Sequence, residues 1–316
     1  MKAIMYHYVR EGSHQLPFFR YLSIENFCRQ LDYFEQQYGF VKMEDIVNCF
    51  ILKKDNSYQT IHNKVLLTFD DGVIDHYSYV YPELLKRGIV GLFFVSTGVF
   101  DSNKALDVHR IHYCLGRMGG GACMRLLNKI ITDDMLEYDY DIKSNIYTKQ
   151  KNDEATKEFK SVMNYFLKYE YREAVLDLIV KEIGIADQDL FKELYMSMDN
   201  MQEMQKNGMI FGSHSVKHCV MSKLSRDEQE KEIRNSFLFL ERNLDMRKLK
   251  IFCYPYGGFH TFNEDTYEAL KENNAMFAFN VESRDIEYKD ILQNPYTLPR
   301  YDCNEFEFGQ ASLGVC

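Results

Sequence analysis

Four side chains in two distant stretches have the types and spacing to do chemistry together. They are Asp70 and Asp71 in VLLTFDDG (65–72), and His214 and His218 in GSHSVKH (212–218). The first stretch is an apolar, strand-forming run that stops at two adjacent carboxylates and a glycine, so the aspartates sit where a buried strand emerges. Neighbouring carboxylates repel, and burying them is costly unless a cation or a proton offsets it. Imidazole and carboxylate together suit Zn2+ or another divalent transition metal. An extended chain would set the two histidines roughly 13 Å apart and a helical turn about 6 Å. Bonds of about 2 Å to one ion therefore require the chain to curl after Ser213. Alone, DDG also reads as a solvated turn and the histidines as surface or core residues; both halves following apolar runs is what points to a metal site.

TFDDG, followed by HSVKH and then by CYPYGG (253–258), resembles the polysaccharide deacetylase family, also called the NodB homology domain or carbohydrate esterase family 4. The resemblance implies Asp70 as general base and Asp71, His214 and His218 as ligands of zinc or a related metal. It also implies that the backbone N–H of Tyr256, between Pro255 and Gly257, donates to an oxyanion. Two departures stand out. Family members often carry an arginine shortly before that proline, to orient the catalytic aspartate, and 251–254 contain none. Many carry a late leucine-any-histidine motif whose histidine protonates the leaving amine, and no histidine follows His260.

The permuted poly-N-acetylglucosamine deacetylase branch carries a YH signature on an early strand, and MYHYV (5–9) is similar. That likeness implies His7 as general acid, against a core histidine at a strand end. Arg300 in LPRYDC (298–303) either replaces the missing arginine or makes a structural ion pair with Asp302. The implied reaction is metal-dependent N-deacetylation of an acetamido sugar, in a surface-glycan precursor or polysaccharide. Alternatives are a deformylase or cyclic amide hydrolase on the same metal, and a catalytically silent carbohydrate-binding relative.

The elements that must position these residues alternate. Strands are predicted at 2–8, 65–69, 89–95, 209–213, 250–254 and 276–281, with 296–301 near the end. Helices are predicted at 24–38 (capped by Ser23), 41–52, 79–87 (closed by Gly88), 201–206 (capped by Asp199), 227–244 (capped by Ser225) and 265–273. Such alternation predicts a parallel sheet with helices outside. The fold class is α/β, a distorted parallel (β/α)7-type barrel forming a single domain over 1–316. Residues 101–197 break the rhythm with GGG at 119–121, a polar acidic stretch at 132–154 and three helical patterns; they read as a helical insertion over one rim. His109 and His112 fall on a helix face there, as structural residues.

The net charge of −9, without clustered Lys and Arg, argues against nucleic acid as a partner. No run approaches membrane-spanning length, and the opening MKAIMYHYVR lacks the apolar core of a secretory signal, so a cytoplasmic location is expected. The eight cysteines lack paired metal-binding spacing and read as free thiols, with Cys219 a conceivable extra ligand beside His218. With no Trp, sugar stacking would fall to Tyr and Phe.

Overall fold

The computed structural model describes residues 1–52, 54, 57–137, 152–246 and 249–314. The chain divides into two compact units. One comprises Met1–Glu11, Leu22–Ser102 and Leu194–Ala311; the other comprises Gly12–Tyr21, Asn103–Glu193 and Ser312–Cys316.

The first unit is built on seven strands: β1 Lys2–Tyr6, β2 Val65–Phe69, β3 Gly91–Val95, β4 Ile210–Ser213, β5 Ile251–Cys253, β6 Phe277–Phe279 and β7 Tyr301–Asp302. Their hydrogen-bonded order is β6-β5-β4-β3-β2-β1-β7, and every pair is parallel. Just before β7, Leu298 bridges in parallel to Phe279, while Tyr301 and Asp302 pair with Ile4 and Met5. The last segment thus spans the seam between β6 and β1 and curls the sheet into the expected distorted (β/α)7 barrel. All residues of β2 and β3 are buried, which is why these strands, Thr68 apart, carry no polar side chains instead of alternating.

Alternation still sorts their two faces. Ala3, Leu66, Leu92, Phe94, Ile210, Ile251, Cys253, Phe277, Phe279 and Leu298 pack in one cluster. Ile4, Tyr6, Leu67, Phe69, Phe93 and Phe211 pack in another with Phe27, Leu31 and Phe34 of the Ile24–Gln37 helix.

Side-chain caps set several helix starts. Ser23 accepts from the Asn26 N–H, and Ser225 with Glu228 forms a reciprocal capping box for the Arg226–Asn243 helix. Gly88, at φ 66°, closes Tyr81–Arg87 in the left-handed conformation favoured there. Three expectations need correction. The predicted 41–52 helix is a short α segment, Met43–Ile46, running into a π turn at Val47–Ile51. The predicted 2–8 strand stops at Tyr6, and Val9–Arg10 pairs separately with Leu22 and Ser23. The cap before Met198–Lys206 is Ser197, boxed with Asn200; Asp199 falls in the first turn, where its charge meets the helix dipole.

The second unit is helical: Asp107–Met118, Gly120–Ile130, Glu154–Ser161 (continued by a π turn), Tyr169–Ile183 and Asp187–Leu194. Gly119, at φ 75°, joins the first two. Ile111, Cys114, Leu127, Phe159, Leu176 and Ile179 form its core. His109 is buried on the first helix, its ring centroid 6.3 Å from that of His112. Most of the polar stretch expected at 132–154 lies outside the described residues.

Candidate active site

The candidate side chains lie at the C-terminal ends of the strands, and strand parity aims them. Leu66 faces inward, so Thr68 and Asp70 follow on the same side, and the Asp70 N–H continues the ladder by donating to the Tyr6 carbonyl. Likewise Ala3 precedes His7 by four residues, Leu298 precedes Arg300 by two, and Cys253 itself faces the interior. Gly212 belongs to this inner face: a Cβ there would lie 2.7 Å from Phe94 Cε1 and 2.8 Å from the Ile251 carbonyl oxygen. Phe94 fills the space instead, and the Arg300 guanidinium lies 5.7 Å from its ring centroid.

Arg300 is fully buried and grips Asp70 with both terminal nitrogens, at 2.7 and 2.8 Å. Its remaining donors go to Thr68 Oγ1 at 3.0 Å, the Asn280 carbonyl at 3.3 Å and Cys253 Sγ at 2.9 Å. Burial alone would raise the Asp70 carboxyl pKa; the adjacent guanidinium overrides it and holds the value at about 2. Asp302 takes no part in this pair, accepting instead from the Asn304 N–H.

Asp71 has a different setting. Its Oδ1 lies 3.5 Å from His214 Nε2 and 3.4 Å from His218 Nε2, and all three side chains are buried. His214 Nδ1 is 2.8 Å from the Cys253 carbonyl, which can only accept, so the ring proton sits on Nδ1 and Nε2 presents its lone pair to the cluster. Burial lowers the His214 pKa against the pull of Asp70 and Asp71, favouring this neutral tautomer. One carboxylate oxygen and two imidazole nitrogens fit a divalent cation in both type and spacing. Tetrahedral bonds of about 2.0–2.2 Å set neighbouring donors about 3.4 Å apart.

The backbone is bent to make this cluster. Among the described non-glycine residues, positive φ occurs at Asp71 (81°), Ser215 (65°), His218 (57°) and Tyr256 (63°), besides three positions outside these motifs. Sparsely populated conformations gathered in one place need surrounding structure to hold them. Here Glu232 of the Arg226–Asn243 helix accepts the Val216 and Lys217 N–H groups at 2.9 and 2.8 Å, and Ser215 Oγ accepts the His218 N–H at 3.0 Å. The curl after Ser213 takes this form.

His7 and Tyr256 border the cluster. His7 Nε2 is 4.0 Å from Asp70 Oδ2, with 40% of its side chain exposed. The Tyr256 ring meets that of His218 at 5.0 Å between centroids, and Gly257 accepts the Val281 N–H through its carbonyl. Cys219 belongs to no group spaced to hold a metal among the described residues; Cys253, read only as a free thiol, does, with Asp70 and His214. Cys253, Thr68 and Glu232 were missed. Parity alone, two residues before Asp70, could have found Thr68.

The fold and this constellation define a parallel α/β barrel carrying a carboxylate and imidazole cluster at the C-terminal ends of its strands. The chain belongs to the polysaccharide deacetylase family, whose family model matches residues 57–278. His7 and Arg300 lie outside that match. No functionally curated protein sequence matches the chain.

Among solved structures, the Streptococcus pyogenes deacetylase PplD, in complex with acetate, is similar over 96% of this chain and 91% of that one, at 17% identity and a TM-score of 0.56. A de-N-acetylase from Aggregatibacter actinomycetemcomitans is similar over 95% and 93%, at 13% identity and a TM-score of 0.54. IcaB from Ammonifex degensii is similar over 95% and 90%, at 18% identity and a TM-score of 0.52. At these identities the likeness is one of fold.

Proposed function

We propose that this chain is a metal-dependent hydrolase that removes the N-acetyl group from an amino sugar of a surface-glycan precursor or polysaccharide. In this reading Asp71, His214 and His218 hold Zn2+ or another divalent transition metal. A cation held there supplies Lewis acidity, polarising the acyl oxygen and easing deprotonation of water. Asp70 takes the proton from the attacking water as its oxygen bonds to the acyl carbon. Arg300 keeps that carboxylate ionised and fixes its direction. The Tyr256 N–H, turned by its positive φ, stabilises the oxyanion. His7 delivers a proton to the nitrogen as the C–N bond breaks, which releases acetate and a free amine.

The observation that carries the reading is the unequal setting of adjacent carboxylates. Asp70 is held by a guanidinium, and Asp71 faces two imidazole nitrogens at metal-ligand spacing. Family membership supports the reaction class. The described cysteines are free thiols, and no described helix is long and apolar enough to cross a membrane.

The test is acetate release from a panel of acetamido sugars by zinc-loaded protein, with formamido sugars and cyclic amides as competitors. Release that stops in Asp70→Asn supports the reading. A protein that releases no acetate, and binds sugar equally well as wild type and as Asp70→Asn, would be a lectin-like relative instead.

A further inference from the structure

The turn that follows the catalytic aspartates does more than leave the barrel. His76 is fully buried, its ring set against Phe69 and Phe93 at 5.5 and 5.7 Å between centroids. Its Nε2 lies 2.9 Å from the backbone carbonyl of His7. That carbonyl only accepts, so Nε2 carries the proton; burial pushes the imidazole pKa down to about 4 and keeps it neutral. Next to it, Asp75 takes two hydrogen bonds from Arg10, at 2.7 and 2.6 Å, and is itself buried. Beyond β1, therefore, the chain is gripped at His7 and again three residues later, both times by one turn only a few residues from Asp70.

The side chain held this way has real freedom to lose. His7 lies beyond the end of β1, its imidazole is 40% exposed, and its nearest ionic neighbour is 4.0 Å away. Neither grip touches the reacting atoms.

We infer that His76, assisted by the Asp75 and Arg10 pair, is a positioning residue that fixes the His7 imidazole over Asp70 for proton delivery to the leaving nitrogen. The inference rests on the proposed role of His7. Holding an acid in place matters only where the leaving group needs its proton: an amide does, an activated aryl ester does not.

The experiment compares zinc-loaded wild type, His7→Ala, His76→Phe, His76→Gln and Arg10→Gln on an acetamido sugar and on 4-nitrophenyl acetate. Phe keeps the ring packing and loses the donor; Gln restores a donor near the same position. In His76→Phe, kcat for the amide is expected to fall roughly 10- to 100-fold with little change in KM, and ester hydrolysis to stay within about 3-fold. His76→Gln should regain most of the loss. Arg10→Gln, whose site is nearer the surface, should show the same selective loss at smaller size, which keeps the test alive if His76→Phe does not fold. Equal losses on both substrates, or a normal amide rate in His76→Phe and Arg10→Gln beside an impaired His7→Ala, would overturn this inference alone. Full amide turnover by His7→Ala would overturn the role of His7 and this inference with it.

Discussion

Arg300 and Asp70 stand 230 residues apart in sequence and meet as a buried bidentate pair, at 2.7 and 2.8 Å. β7 lies beside β1, and β1 beside β2, so the end of the chain is two strands from the aspartate it holds. Replacing Arg300 with Met would leave a buried carboxylate without its counter-charge. We expect a loss of about 3–5 kcal/mol in denaturant unfolding and a fall in kcat of at least 100-fold. Arg300→Lys keeps the charge but loses the two-pronged geometry, and should recover stability better than activity.

The same pair sets a pH dependence. The folded-state pKa of Asp70, about 2, lies below that of an unfolded aspartate, about 3.9. Its stabilising contribution is therefore complete above about pH 4 to 5 and is lost as pH falls towards 2. Removing the guanidinium takes away the strongest pull against burial, so the acid limb of the kcat/KM profile should move upward in Arg300→Met. An acid limb that stays in place would separate Asp70 from the titration.

What the sequence disclosed, and what it hid, follows from the reach of each signal. TFDDG was readable because an apolar strand and its exit are local, and His214 with His218 because both lie within one short loop. Arg300 was ambiguous: its partner is chosen by strand order, and a strand of only Tyr301–Asp302 has no periodicity to read. Glu232 gave no sign at all, since an acid on a charged amphipathic helix reads as solvated until the loop it caps is in view. The 41–52 pattern concealed a π turn because one extra residue per turn leaves apolar spacing nearly unchanged over so short a run.

Glu232 offers a test of how the histidine loop is held. Glu232→Ala frees the Val216 and Lys217 N–H groups next to two positive-φ residues. We predict a stability loss of about 1–3 kcal/mol and zinc affinity reduced roughly 10- to 100-fold, by thermal denaturation and metal titration. Unchanged zinc affinity would mean that the loop keeps its shape without this anchor.

Gly212 tests the floor of the site. A Cβ at this position would lie 2.7 Å from the Phe94 ring and 2.8 Å from a backbone oxygen, and the backbone cannot swing aside as a side chain can. Gly212→Ala should cost about 1–3 kcal/mol by thermal unfolding, and lower kcat by displacing Phe94 from beneath Arg300.

The central claim is that Asp71, His214 and His218 share one divalent cation. Calorimetric titration of the wild-type chain with zinc, alongside His214→Ala and His218→Ala, tests it most directly. We predict one tightly bound ion per chain, with affinity falling at least 100-fold in either variant while the fold is retained. Binding of equal strength and stoichiometry in all three proteins would contradict it.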